Sequence, residues 1–141
     1  MHVDDAIRQR RTHKQFDGTP VSRETLAELV ALAVWAPNHK RTEPWRFVVA
    51  LHDRLPALAD AGSAALEAIA RPPIDAALRH KQANLRQTLA GAGAVVVVSQ
   101  VASPDDPTRD REDYAATCAA VQNLLLGATA RGLGTLWSTN K

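Results

Sequence analysis

The chain has a single cysteine, Cys118, among its 141 residues, so no internal disulfide can staple it, and the reducing cytosol is the expected compartment. Aromatic residues make up only 4% of the sequence against 45% hydrophobic residues overall. The core must then be built from Ala, Val and Leu, side chains that individually remove little area from water, and such a chain gains from a partner surface or a bound cofactor. The most apolar stretch, Ala92 to Val98, is far too short to span a bilayer, and the N-terminus Met-His-Val-Asp-Asp lacks the basic region and apolar run of a secretion signal. Charge of one sign is lacking too: 17 Lys and Arg against 15 Asp and Glu leave a net +2, too even for a nucleic-acid binder with a wholly basic surface. There is no Gly-x-Gly-x-x-Gly after a strand, no P-loop and no Cys/His cluster at zinc spacing, so neither a bound metal nor a dinucleotide on a doubly wound sheet is expected.

What is present alternates between helical and strand patterns along one expected domain, residues 1–141. Val3 to Arg11 reads as a short helix with Asp4 and Asp5 opposing its dipole. Ser22 is placed to cap a second helix over 23–35, in which Leu26, Leu29, Val30 and Ala33 recur at helical spacing before Pro37 stops it. Arg46 to Leu51 suits a buried strand, and two helices follow, Leu55 to Ala70 and Ile74 to Leu89, split by the breaker Arg71-Pro-Pro73. Ala94 to Val101 is the clearest strand. From Asp110 a helix apolar nearly all round carries Tyr114, Cys118, Val121, Leu125 and Ala128 on one stripe, and Gly132 caps it before a further strand over Leu133 to Trp137. Strands separated by long helices predict an α+β or α/β domain. A strand only begun before Lys141 leaves the sheet short of a member, so a chain truncated at its C-terminus is expected.

Three segments hold residue types suited to ligand chemistry. Arg8 to Lys14 contains Arg10, Arg11, Thr12 and Lys14 with no acid among them; if the first helix persists, Arg10 and Lys14 share a face, and phosphate is the natural guest. From spacing alone a solvated charged face is the commoner reading of such a run. The loop Ala36-Pro-Asn-His-Lys-Arg-Thr-Glu-Pro-Trp-Arg46 sets His39 between two prolines, although alone His39 reads as a surface histidine and Trp45 as a core anchor. Gly127 to Gly134, leading to Trp137, Ser138 and Thr139, allows close backbone approach to a planar ligand, but a glycine after a helix is also an ordinary cap. Cys118, in an apolar setting, reads as core rather than as a nucleophile.

In this order the three segments resemble the nitroreductase family. Arg10-Arg-Thr-His-Lys-Gln-Phe16 is similar to the family's basic helix end, Ala36 to Trp45 to its Ala-Pro-Ser-x-x-Asn-x-Gln-Pro-Trp loop, and Ala120 to Trp137 to its buried helix with Gly-Leu-Gly-Thr and a Trp strand. The form Ala-Pro-Asn-His-Lys looks most like the short, YdjA-like NAD(P)H nitroreductases. The resemblance implies an α+β fold with a central mixed sheet flanked by helices, built as an intertwined homodimer with FMN at the subunit interface and NAD(P)H as electron donor. Carried over, it gives Arg10, Arg11 and Thr12 the FMN phosphate and ribityl chain, Lys14 the flavin N1 and O2 side, and Trp35 and His39 a flavin held mainly by the other subunit. Trp137, Ser138 and Thr139 would line the flavin, with Gly127, Ala128, Thr129, Ala130, Arg131 and Gly132 near the nicotinamide.

Two departures are local, Arg41 and Glu43 where the family frequently has Asn and Gln and Trp35 where the short subfamily often has Arg; a larger one is that the family continues past Lys141 with another helix, a strand and a tail that crosses to the partner. No side chain is needed as a catalytic nucleophile, because the flavin N5 carries the chemistry in a ping-pong transfer to a quinone, nitroaromatic or similar electron-poor acceptor. The rival readings are a flavin- or phosphate-binding dimer without turnover and a helical interaction module with no cofactor.

Overall fold

A computed structural model describes residues 1–70 and 75–138. The breaker at 71–73 and the site residue Thr139 lie outside the described residues. By internal contacts the chain divides into two compact units, Met1–His13 with Arg23–Val48 and Val96–Lys141, and Lys14–Ser22 with Val49–Val95.

In the first unit α1 (Val3–Gln9) carries Asp4 and Asp5 in its first turn. It stops short of Arg11 because Arg10 leaves the helical region, with ψ at 124°. Arg10 and Lys14 therefore share no helix face, contrary to expectation, and Lys14 belongs to the second unit. Helix α2 (Arg23–Ala33) ends earlier than 35, its last turn unwinding into Val34–Ala36 ahead of Pro37. It packs on α5 (Pro107–Ala130), which begins three residues before Asp110 because Asp106 caps it, accepting the Arg109 amide at 3.0 Å, and Pro107 suits the first turn.

The buried stripe of α5 is Asp113, Ala116, Thr117, Ala120, Leu124, Gly127 and Ala128 rather than the stripe through Tyr114, which is 61% exposed. The predicted stripe ran one position out of phase: Cys118 and Val121 are only half-buried, while Leu125 and Ala128 are buried. Small residues on this face let α2 come close, so that Leu29 and Leu32 lie over Gly127, where a Cβ would stand 2.9 Å from Leu32 Cδ1. The core here is Leu29, Ala33, Ala36, Trp45, Ala116, Ala120, Leu124 and Ala128, with Phe47, Val96 and Leu133 against it, which makes Trp45 the anchor its position suggested.

Strands β1 (Trp45–Leu51) and β2 (Ala94–Gln100) pair in a two-stranded sheet. They are antiparallel: the Val101 amide bonds the Pro44 carbonyl at one end, and His52 Nδ1 meets the Ala92 carbonyl at the other. Among the described residues the mixed sheet is thus reduced to this pair plus one isolated parallel bridge, Thr12 with Thr135. The predicted strand over 133–137 is that bridge alone. Gly132, at φ 74°, turns the chain sharply after α5, and Thr135 then makes only one pairing.

In the second unit α3 (Leu55–Ile69) packs along α4 (Ala76–Gly91), with Leu85 filling the space left by Gly62. The segment 14–22 lies on the end of α4, Gly18 donating to the Gly91 carbonyl and Val21 to that of Gly93. Asp17 accepts the Thr19 amide and hydroxyl, which holds its carboxyl below the usual range; that contribution to stability is present above the unfolded value and lost as pH falls through the folded one.

Candidate functional site

The basic segment and the turn after α5 meet in the first unit. Thr12 pairs in parallel with Thr135, and the His13 amide donates to the Thr135 carbonyl at 2.9 Å. The approach depends on Gly134, where a Cβ would lie 3.1 Å from the His13 ring. The turn itself is closed by three amide bonds: Arg131 and Leu133 donate to the Ala128 carbonyl and Gly132 to that of Thr129. Residues more than a hundred positions apart are thereby fixed side by side, and the half-exposed Trp137 follows directly.

The donors here suit a phosphate. Arg11 Nη1 holds the Arg8 and Arg10 carbonyls at 2.6 and 2.9 Å, which braces the guanidinium while its other terminal nitrogen has no protein partner among the described residues. Arg10 is half-buried, Thr12 is exposed, and no carboxylate lies between Gln9 and Gln15 to compete for an anion.

The glycine-rich end of α5 sorts into two faces. Gly127 is buried under Leu29 and Leu32 of α2 and Ala128 is buried in the core, whereas Ala130, Arg131 and Gly132 are exposed and Thr129 is half-buried. Arg131 is committed to structure: Nη1 donates to the Gly127 carbonyl at 3.1 Å and Nη2 pairs with Glu28 at 2.9 Å.

The Pro37–Pro44 loop is held by a group that the sequence reading missed. Asp113, only 2% exposed, accepts the Thr42 hydroxyl at 2.5 Å and pairs with Arg109 at 3.4 Å. Asn38 closes the loop from inside by accepting the Glu43 amide at 3.0 Å. The backbone between them is left-handed at Lys40, Arg41 and Glu43, with φ of 53°, 53° and 44°. Such angles in non-glycine residues cost of order 1 kcal/mol or more each and persist only where the surroundings dictate them. A carboxylate in an otherwise apolar helical stripe was the available signal for Asp113. The loop presents His39 exposed, and Trp35 at the end of the α2 turn is 83% exposed.

Asp113→Ala is expected to lower stability by about 2 kcal/mol, since the Thr42 hydroxyl loses its acceptor. Thr42→Val should cost less, because it removes the donor and leaves Asp113 its pairing with Arg109. Urea unfolding checks the order of the two; equal stability of Asp113→Ala and the parent would mean that the loop is fastened elsewhere.

The family model described as the nitroreductase family matches residues 7–140. The chain is 31% identical over 137 residues to YfhC of Bacillus subtilis (strain 168), provisionally named an NAD(P)H nitroreductase, with 97% of this chain and 69% of YfhC covered. A nitroreductase-like family protein from Bacillus cereus superposes with a TM-score of 0.86 at 31% identity, over 100% of this chain and 71% of the other. A crystal structure from Desulfovibrio desulfuricans, provisionally named a nitroreductase and holding FMN, gives a TM-score of 0.70 at 28% identity, over 99% of this chain and 69% of that one.

Proposed function

The chain belongs to the nitroreductase family, and from that premise we propose that it is a single-domain FMN-dependent oxidoreductase passing electrons from NAD(P)H to small electron-poor acceptors such as nitroaromatics and quinones. The observation that carries the reading is the Thr12–Thr135 pairing, which sets a carboxylate-free cationic segment beside a glycine turn and an exposed indole. The FMN bound in the Desulfovibrio relative supports the choice of cofactor.

In this reading Arg10, Arg11 and Thr12 hold the phosphate and ribityl chain. Lys14 supplies a cation on the N1 and O2 side, where a reduced flavin carries negative charge. Trp137 and Ser138 line the ring, and the exposed turn from Ala130 to Gly132 borders the nicotinamide. Bound FMN supplies the hydride chemistry at N5 and imposes a ping-pong order, donor and acceptor using one slot in turn. Flat stacking surfaces select electron-poor planar molecules over any named one, so the acceptor range is broad.

The assembly proposed is a homodimer with FMN at the subunit interface, working in the cytosol. Its support within the first unit is uncovered apolar surface: Val3 and Ile7 on α1, Leu32 at the end of α2, and Val34 and Trp35 beyond it. Trp35 and His39 would meet the flavin held by the other protomer.

Mixing the protein with FMN and a reduced nicotinamide without air, and following the yellow absorbance, tests the reading. Bleaching within seconds is expected, and its reversal on adding a quinone. A flavin that binds but stays oxidised leaves a non-catalytic flavin-binding dimer, and a preparation that binds no FMN leaves an interaction module.

A further inference from the structure

Apart from the residues given to the flavin, the second unit holds a cavity of about 430 Å³ between the start of α3, the end of α4 and the turn at His52–Arg54. Small-molecule sites typically measure about 300–1,000 Å³. Apolar walls come from both helices, Leu55 and Ala59 of α3 and Leu89 of α4, all three buried. The polar lining is His52, Asp60 and Arg86. His52 Nδ1 lies 3.0 Å from the Ala92 carbonyl, which can only accept, so that nitrogen carries the hydrogen. In the neutral ring Nε2 is then an acceptor with no protein partner among the described residues.

Arg86 Nη1 donates to Asp60 Oδ1 at 2.6 Å, and both side chains are more than half exposed. One guanidinium and one carboxylate leave the cavity without net charge, so an anion would meet Asp60 and a cation would meet Arg86. An exposed ion pair is weak, and a ligand that offers each partner an equivalent bond parts it at little cost. The matching guest is neutral, with apolar faces and an edge on which an acceptor stands beside a donor. We propose that the cavity binds a planar heterocyclic lactam, its carbonyl accepting from Arg86, its adjacent N–H donating to Asp60, and a second ring N–H donating to His52 Nε2. None of the residues given to the flavin or the nicotinamide lines the cavity, so the assignment stands apart from the flavin reading.

The test is a ligand-observed NMR titration of the FMN-loaded protein with hypoxanthine, which carries the lactam edge, and with purine, which has the same rings without it. Hypoxanthine should bind with a Kd of about 1 mM or tighter, and purine roughly tenfold more weakly. Asp60→Leu/Arg86→Met removes both rim partners at an exposed position, so its Tm should stay within a few degrees of the parent while the preference for hypoxanthine disappears. Ala90→Trp, at an exposed position on the cavity wall, should fill the space and weaken both ligands. Equal affinity of the parent for the two rings, or no saturation by hypoxanthine up to about 5 mM, overturns the proposal whatever the variants do. Hypoxanthine binding that survives Ala90→Trp unchanged places the ligand elsewhere and overturns it as well.

Discussion

FMN affinity is expected to fall roughly a hundredfold or more when Arg10 and Arg11 are both replaced by alanine, with only a small change in the thermal stability of the cofactor-free protein. Each charge-assisted bond from a guanidinium to phosphate is worth about 1.5–3 kcal/mol, and two such losses multiply in the dissociation constant. The stability change stays small because Arg11 is exposed and Arg10 only half-buried, and the bonds Arg11 makes are to the Arg8 and Arg10 carbonyls. Those carbonyls can turn to water. Arg8→Ala/Arg23→Ala removes the same charge from positions given no contact with phosphate and serves as the control. Fluorescence titration of FMN measures all three proteins; if the Arg10/Arg11 variant and the control bind alike, the cofactor phosphate sits elsewhere and the proposed site is wrong.

The largest effect on stability is expected at Gly93. A Cβ there would lie 2.1 Å from the Thr19 carbonyl oxygen and 3.1 Å from Val21 Cγ2. The first of these atoms is backbone, so it cannot swing aside, and moving it disturbs the bond from the Val21 amide to the Gly93 carbonyl at 3.3 Å. Gly93→Ala should therefore cost about 3 kcal/mol or more and lower Tm by roughly 10 °C. Gly132→Ala provides the contrast, because nothing lies within 4 Å of its Cβ and only the positive φ opposes the substitution. Its cost should be about 1 kcal/mol. Differential scanning calorimetry on the pair separates lack of space from backbone strain, and a Gly93→Ala protein as stable as its parent would show that the segment 14–22 does not hold this position.

How far the site was legible follows from the range of the interactions involved. Helix and strand interiors were readable because periodicity, capping residues and prolines act within a few positions: Pro37 ended α2, and Gly132 capped α5. The stripe of α5 was misread because Tyr114 is apolar enough to look internal, whereas the buried face is made of smaller residues and includes a carboxylate. Asp113 has a reason to be buried only once Thr42, 71 positions earlier, is seen to donate to it. Gly127 and Ala128 looked like lining for a ligand for the same reason that they serve α2, since small side chains permit close approach by either.

By itself, then, the sequence determined the family, the order of the helices and the two strands, and the chemical character of the candidate ligand contacts. Each depends on residue type and near-neighbour spacing. Only the tertiary structure decided that Arg10 to Thr12 lies beside the turn at Gly132 to Thr135, that Arg131 is spent on Glu28, and that the Pro37–Pro44 loop is locked with left-handed backbone at Lys40, Arg41 and Glu43. Those outcomes depend on which distant groups find one another as the core closes, and a hydrogen bond or a glycine contact across a hundred residues leaves no local pattern in the chain.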